Sequence, residues 1–179
     1  MKSSKKRDII ALSIIILIVA SIVTILLVLL LPKNNDNKPM QPTNEYVYLY
    51  IDCKTILGKE NNLNPKPLEN SHKNGIILDN FKVPYHEGMS VYDALIYAEK
   101  ENLITVQARN DIYGIYIEGI NHLYEKSYKN GLGGWMYAVN GEEIMNTMSN
   151  AKLEKNDIIE VKFTCEVGDI VWGEYERIF

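Results

Sequence analysis

GIILDNFKVPYHEGMSVYDALIYAEKEN, residues 75–102, joins a strand pattern to a helix pattern and decides the fold class. Residues 75–83 are rich in β-forming side chains and stop at Pro84, which predicts a strand. Ser90 is followed three residues later by Asp93, a capping-box pattern, so a helix should begin there. Apolar residues then recur at helical spacing and predict one buried face, made of Val91, Ala94, Leu95 and Ala98. It is the one convincing helix predicted outside the N-terminal region.

Strand patterns flank this helix on both sides. Residues 46–56 (YVYLYIDCKTI) predict a first strand, and the polar residues 57–74 predict a long loop. Further strands are predicted after the helix, at residues 104–108, 112–117, 135–139 and 157–164. This order predicts an α+β domain with a β-grasp-like fold, in which one helix packs across a mixed sheet. The first and last strands should then be parallel neighbours at the centre, and Asn140-Gly141 should close a type I′ turn.

The N-terminal region has the composition of a membrane anchor. Residues 9–31 contain no charged side chain and are almost entirely apolar, and about 20 such residues cross a bilayer as a helix. The run is longer than the apolar core of a cleavable signal peptide, which covers roughly 7–15 residues. We therefore expect a single retained transmembrane helix. A cleaved signal peptide, which would make the protein secreted, is the alternative.

Charge predicts the orientation of this anchor and the class of partner. The apolar run is preceded by four basic residues, Lys2, Lys5, Lys6 and Arg7. Basic flanking residues tend to stay on the cytoplasmic side of a membrane. The predicted organisation is a basic tail and anchor (1–31), a flexible linker (32–44) and one domain (45–179) outside the cytoplasm of a bacterial cell. The formal net charge is -4 although the N-terminal tail is basic. The exterior part is therefore acidic and should repel nucleic acids.

The sequence contains no recognisable catalytic motif. His72, His86 and His122 are far apart, and none of them stands in a metal-ligand spacing. Zinc-protease, nucleophile-elbow and phosphate-loop motifs are absent. We therefore predict a non-enzymatic protein with no metal site. Cys53 and Cys165 both belong to the exterior part, near the same end of two strands expected to be neighbours, which predicts a disulfide. Two buried free thiols are the alternative.

Aromatic residues are concentrated between residues 113 and 141, interleaved with Gly and Asn. Rings combined with amide groups make good walls for a flat or amphipathic ligand. The alternative is that the rings simply fill the core. For Trp135 this core role is at least as well supported as ligand binding. The predicted ligand-binding residues are Tyr116, Asn121, Tyr124, Tyr128, Trp135, Tyr137 and Asn140.

Five short motifs together resemble one family. They are IDCKTIL (51–57), GMSVYDAL (88–95), YIEGINHLYE (116–125), GGWMYAVNG (133–141) and LEKNDIIEVKF (153–163). These motifs are similar to the transcobalamin-like C-terminal domain family, found in bacterial surface proteins and similar to the second domain of the animal cobalamin carriers. The resemblance covers nearly all of residues 45–179 and implies a β-grasp-like domain that contacts a corrinoid. The chain departs from the carriers in lacking their helical domain and the linker histidine that coordinates cobalt, so the resemblance implies half of such a site.

Two function classes follow from these observations. The leading hypothesis is a membrane-anchored extracellular binding module for a small ligand, with cobalamin or another corrinoid as the named candidate and no catalytic cofactor. The alternative is a surface adhesion module that binds a protein or a cell-wall polymer through the same aromatic residues. A concave cleft would favour the small ligand, and a flat patch would favour the macromolecule. A hydrolase that uses Cys165 is a third hypothesis, without a motif to support it.

Overall fold

The computed structural model describes residues 17–23, 45–64, 74–129 and 133–175. The chain divides into two compact units, Met1–Met40 and Gln41–Phe179. In the first unit, residues 17–23 are helical, while the rest of the predicted anchor and the predicted linker lie outside the described residues. Among the residues that are described, no helix has both the length and the apolar character needed to span a bilayer.

The second unit contains eight strands and one α-helix in its described part. In chain order they are β1 (Tyr46–Asp52), β2 (Ile76–Pro84), α1 (Val91–Lys100), β3 (Val106–Asp111), β4 (Gly114–Ile120), β5 (Leu123–Tyr124), β6 (Gly134–Val139), β7 (Glu142–Glu143) and β8 (Ile158–Thr164). The predicted α+β class is confirmed. Strands β5 and β7 have two residues each and were not predicted, because such short segments show no alternation.

The strands form two sheets. The larger sheet has the order β2-β1-β8-β6-β7, and β1 runs parallel to β8, with Tyr48 opposite Ile158 and Asp52 opposite Lys162. The predicted parallel pairing of the first and last long strands is therefore confirmed. Strands β3, β4 and β5 form a separate three-stranded antiparallel sheet. This second sheet was not predicted; it arises because tight turns at 112–113 and 121–122 pair these strands with one another.

Helix α1 packs its predicted face against the larger sheet. Ser90 Oγ accepts a hydrogen bond from the Asp93 backbone N–H at 3.2 Å, and Asp93 Oδ2 accepts one from the Ser90 N–H at 2.8 Å. This reciprocal capping box satisfies donors that the first turn leaves unpaired. The helix buries the residues that the spacing predicted, Val91, Ala94, Leu95 and Ala98. They join one core with the sheet side chains that face them, including Leu49, Ile51, Val161 and Phe163.

The turn after β6 has the predicted conformation. Asn140 and Gly141 both have positive φ, 53° and 81°, and they connect the antiparallel pairs Ala138–Glu143 and Val139–Glu142. A type I′ turn needs positive φ at both central residues, which Asn and Gly tolerate best. The predicted hairpin is confirmed.

The sheet face opposite α1 is covered by the end of the chain. Residues 166–175, named here the C-terminal strap, cross β8 and reach β1, where the Tyr175 ring stacks on Tyr50 at a centroid distance of 3.9 Å. The buried Lys162 ammonium donates to Val171 O at 2.5 Å and to Glu174 Oε2 at 2.7 Å. It also lies 3.0 Å from Glu160 Oε2, an ion pair without hydrogen-bond alignment. The strap therefore covers a cluster of charged side chains on this sheet face, and the sequence did not predict that cluster.

The predicted disulfide between Cys53 and Cys165 is not formed in this structure. Both cysteines are buried free thiols, which is the alternative to the predicted disulfide. The pairing of Asp52 with Lys162 puts Cys165 two positions beyond the residue that neighbours Cys53, and the Cys165 thiol contacts Thr55 O at 3.5 Å instead. Burial raises the pKa of Cys53 to about 12, and burial also raises the pKa of Cys165. Both thiols are thus kept in their unreactive protonated form.

Candidate functional site

A cleft of about 360 Å³ opens between the two sheets and the loop that follows β7. Strand β4 contributes one wall, β6 contributes the floor, and residues 145–148 form the opposite wall. The lining residues are Tyr113, Ile115, Tyr116, Ile117, Trp135, Tyr137, Met145, Asn146, Thr147 and Met148. We name this cavity the aromatic cleft, because four of these ten side chains are Tyr or Trp.

Trp135 belongs both to the core and to the aromatic cleft. Its side chain is buried, and its indole N–H donates to Leu123 O at 2.9 Å. Its ring meets Phe163 edge to face at 5.3 Å, a favoured arrangement for aromatic pairs. The ring is therefore held rigidly, and a ligand in the cleft meets a fixed surface.

Tyr137 connects the floor of the cleft to its loop wall. It points to the same side of β6 as Trp135, two residues earlier. Its hydroxyl donates to Asn146 O at 2.9 Å, and burial raises its pKa to about 12. The Tyr137 hydroxyl is therefore protonated at neutral pH, and its hydrogen is donated to Asn146 O within the protein.

Tyr116 forms part of the wall contributed by β4. Its hydroxyl donates to Glu125 Oε2 at 2.6 Å, and burial together with this carboxylate raises its pKa to about 12. The Arg109 guanidinium lies 4.3 Å from the ring centroid and pairs with Glu118 at 2.9 Å and with Glu125 at 3.7 Å. The position of the ring is thus set by contacts outside the cleft.

The loop wall is fastened to the β3–β4 turn. Tyr113 O accepts hydrogen bonds from Thr147 Oγ1 at 3.0 Å and from Asn150 Nδ2 at 2.7 Å. The Ile115 N–H donates to Ser149 Oγ at 2.9 Å. These three bonds hold the two sides of the cleft together, so the cleft is formed before any ligand arrives.

Three of the predicted ligand-binding residues come together in the cleft, and four lie elsewhere. Tyr116, Trp135 and Tyr137 line it. Tyr124 lines a second hollow of about 310 Å³, together with Glu118, Glu125 and Lys126. Tyr128 is buried and bridges to Leu63.

The two predicted asparagines stabilise turns. Asn121 Oδ1 accepts from the Thr105 N–H at 2.8 Å. Asn140 Oδ1 accepts from the Ile158 N–H at 3.1 Å, and its Nδ2 donates to Asp157 Oδ1 at 2.8 Å. Both side chains satisfy backbone groups and do not line the cleft.

The loop wall of the cleft was not predicted as part of a site. Residues 144–149 follow the β6–β7 hairpin, and hydrogen bonds that span 34 residues join Thr147 to Tyr113 and Ser149 to Ile115. The sequence does contain a signal, because Met145 is an apolar residue in a polar loop. The structure leaves this side chain 88% exposed. Among the described residues, no three His, Cys, Asp or Glu side chains form a group able to hold a metal ion.

The fold and the cleft define an α+β domain with a cavity lined by aromatic side chains. Comparison with known families gives a match of residues 88–165 to the model described as Domain of unknown function (DUF4430). This matched segment contains every residue that lines the aromatic cleft. A search of curated proteins found no match.

Solved structures that are similar to this chain include a bacterial protein and haptocorrin. One is a protein from Ruminococcus gnavus ATCC 29149 to which metal binding is ascribed; it is 12% identical, with 67% of this chain and 96% of that chain covered and a TM-score of 0.44. The other is haptocorrin in complex with Cbi, which is 16% identical, with 67% of this chain covered and a TM-score of 0.48. The present chain spans 25% of the haptocorrin chain.

Proposed function

We propose that this protein is a non-enzymatic binding module whose small-molecule ligand enters the aromatic cleft. The observation that carries the proposal is a preformed cavity of about 360 Å³ with four aromatic side chains in its walls. This volume lies within the range of roughly 300–1,000 Å³ typical of small-molecule sites. The concave shape supports a small ligand over a protein or a cell-wall polymer, which would need a broad, flat surface.

The same cavity limits how a corrinoid could bind. The resemblance of the sequence to the transcobalamin-like C-terminal domain makes cobalamin the first ligand to test. A corrin ring with its amide side chains is larger than the cleft, so only one edge of it would be buried. Burial of one edge gains little apolar contact to offset the loss of freedom on binding. We therefore expect a corrinoid to bind this chain alone in the millimolar to high micromolar range.

Two neighbouring residues of the β3–β4 turn provide a matched pair for the test. Tyr113 is 72% exposed and lines the cleft, whereas Ile112 is 88% exposed and does not. Because both side chains are largely in solvent, replacing either with Ala should leave the fold intact.

The experiment is calorimetry and absorbance titration of the full chain with cobalamin up to millimolar concentration. Binding should weaken about 5- to 30-fold in Tyr113→Ala, since an aromatic contact of roughly 1–2 kcal/mol is lost, and should be unchanged in Ile112→Ala. Absence of any heat or spectral change would exclude the corrinoid. Equal weakening in both variants would place the ligand outside the cleft.

We further propose that residues 9–31 hold this module at the outer face of a bacterial membrane. The proposal is supported by the uncharged apolar run and the basic residues before it. In cells that express the full chain, the protein should sediment with membranes, and external protease should degrade the domain without lysis. Recovery of a soluble product that lacks residues 1–31 would support the cleaved signal peptide instead.

A further inference from the structure

We propose that the aromatic cleft selects an uncharged, flat ligand that carries an N–H or O–H donor. This inference rests on the proposed function, and it adds the charge and the hydrogen-bonding character of the ligand. It follows from which side chains line the cleft and from how their polar atoms are already used.

The lining of the cleft is free of charge. None of its ten described lining residues is Asp, Glu, Lys, Arg or His. Two other hollows in the described part of the chain differ sharply: one contains Glu118, Glu125 and Lys126, and the other contains Asp52, Lys54, Lys162, Asp169 and Glu174. A charged ligand that entered the aromatic cleft would lose hydration without gaining a counter-ion, which is strongly unfavourable.

The charged side chains beside Tyr116 do not line the cleft. Arg109 approaches the Tyr116 ring, but its guanidinium pairs with three carboxylates, those of Asp111, Glu118 and Glu125, at 2.9–3.9 Å. Glu125 in turn accepts a hydrogen bond from the Tyr116 hydroxyl. The guanidinium offsets only part of the charge of the three carboxylates, but none of these four side chains lines the cleft.

Three of the four aromatic side chains that line the cleft already donate their polar hydrogens to partners within the protein. Tyr116 donates to Glu125, Tyr137 donates to Asn146 O, and the Trp135 indole donates to Leu123 O. A phenol oxygen that donates its proton keeps lone pairs that accept hydrogen bonds, whereas the indole nitrogen has none. The oxygens of Tyr116 and Tyr137 can thus accept a hydrogen bond from a ligand, while the hydrogens of these two hydroxyls are already used within the protein. A ring with an N–H or O–H group matches this arrangement.

Four indole derivatives separate charge from hydrogen bonding. The reference probe is 3-methylindole, which is neutral and has an N–H. Indole-3-acetate and tryptamine carry a negative and a positive charge at the same ring position, and 1-methylindole is a neutral isomer without the N–H. Binding to the full chain is measured by NMR shifts of the Trp135 indole N–H and the backbone amides of Asn146 and Thr147.

The expected result is that 3-methylindole shifts these signals and that each charged probe binds at least ~10-fold more weakly. Loss of one neutral hydrogen bond should make 1-methylindole ~2- to 10-fold weaker than its isomer. A charged probe that binds as well as 3-methylindole would overturn the selection for neutral ligands and leave the proposed function intact. Equal binding of the two isomers would overturn the need for a donor. If no probe shifts these signals, the inference fails, and the cobalamin titration alone decides the proposed function.

A change of charge at the mouth of the cleft gives an independent check. Met145 lines the cleft and is 88% exposed, so Met145→Glu and the matched control Met145→Gln should both fold. Met145→Glu should favour tryptamine over indole-3-acetate by at least ~5-fold relative to Met145→Gln, because an opposite charge at the rim attracts the cation. An unchanged ratio of the two affinities would show that the probes bind elsewhere.

Discussion

Gly133 and Gly134 are adjacent in sequence but have different surroundings. A Cβ atom on Gly133 would lie 2.9 Å from Glu125 O, 2.9 Å from Phe163 Cζ and 3.0 Å from Tyr128 Cβ, whereas a Cβ on Gly134 would meet nothing within 4 Å. Gly133 therefore permits the close approach of the Glu125–Ser127 turn to β6, beside the floor of the aromatic cleft. This contact explains why residue 133, two positions before Trp135, is a glycine.

We expect Gly133→Ala to lower the free energy of unfolding by about 1–3 kcal/mol, because backbone and a buried ring must move to admit the methyl group. Gly134→Ala is the matched control and should change stability by less than about 0.5 kcal/mol. Urea unfolding of both variants measures the difference. Equal effects would contradict the close packing at Gly133.

At the scale of elements, β8 combines an apolar face toward α1 with a charged face toward the C-terminal strap. Lys162 is buried on that charged face beside Glu160, and its ammonium lies 3.9 Å from Asp52. Burial alone would lower the pKa of Lys162, but its contacts with Glu174 and Glu160 outweigh burial and raise that pKa. Burial raises the pKa of Asp52, although Lys162 and Lys54 partly oppose this shift.

Lys162→Met should destabilise the protein by about 3–5 kcal/mol at pH 7, because it removes the buried cation that lies beside the buried carboxylates of Glu160 and Asp52. Without Lys162, the folded-state pKa of Asp52, which burial already raises, loses an opposing contribution and rises further above its unfolded value. The folded variant then binds more protons than the unfolded chain, so its stability should increase as pH falls from 7 to 5. Urea unfolding at both pH values tests this.

The control for this element is Lys155→Met. Lys155 is exposed and pairs with Glu45 at 3.3 Å, and exposed pairs of this kind contribute about 0–1 kcal/mol. A loss in Lys162→Met no larger than in Lys155→Met, or one that does not depend on pH, would contradict the buried charge cluster.

At the scale of the whole molecule, the domain extends beyond the segment that matches the known family. Residues 88–165 include the aromatic cleft but exclude β1, β2 and the C-terminal strap. In the sheet, β8 lies between β1 and β6, so removal of β1 would expose a central strand along its full length.

A fragment of residues 88–165 should therefore show no cooperative unfolding, because its sheet would lack a central neighbour and much of the core. A fragment of residues 41–179, which is one compact unit, should unfold cooperatively. Thermal melts followed by circular dichroism compare the two fragments. A cooperative transition in the shorter fragment would show that the parallel β1–β8 pair is dispensable.

The sequence alone determined the parts of this protein that depend on neighbouring residues. The capping box and the apolar spacing placed α1 correctly, and Asn140-Gly141 placed the hairpin turn, because each signal acts within a few residues. The order of strand patterns also predicted the fold class and the parallel pairing of β1 with β8. Individual strand ends were less accurate: β3 begins at Val106, two residues later than predicted.

Tertiary structure decided the features that depend on distant residues. The separate sheet of β3, β4 and β5, the C-terminal strap and the unpaired cysteines all follow from how segments pack. The aromatic cleft has the same origin, since its walls come from residues 113–117, 135–137 and 145–148. The sequence pointed to the aromatic rings but could not separate those that line a cavity from those that fill the core. That distinction depends on which side chains meet across the fold, and periodicity along one segment carries no information about it.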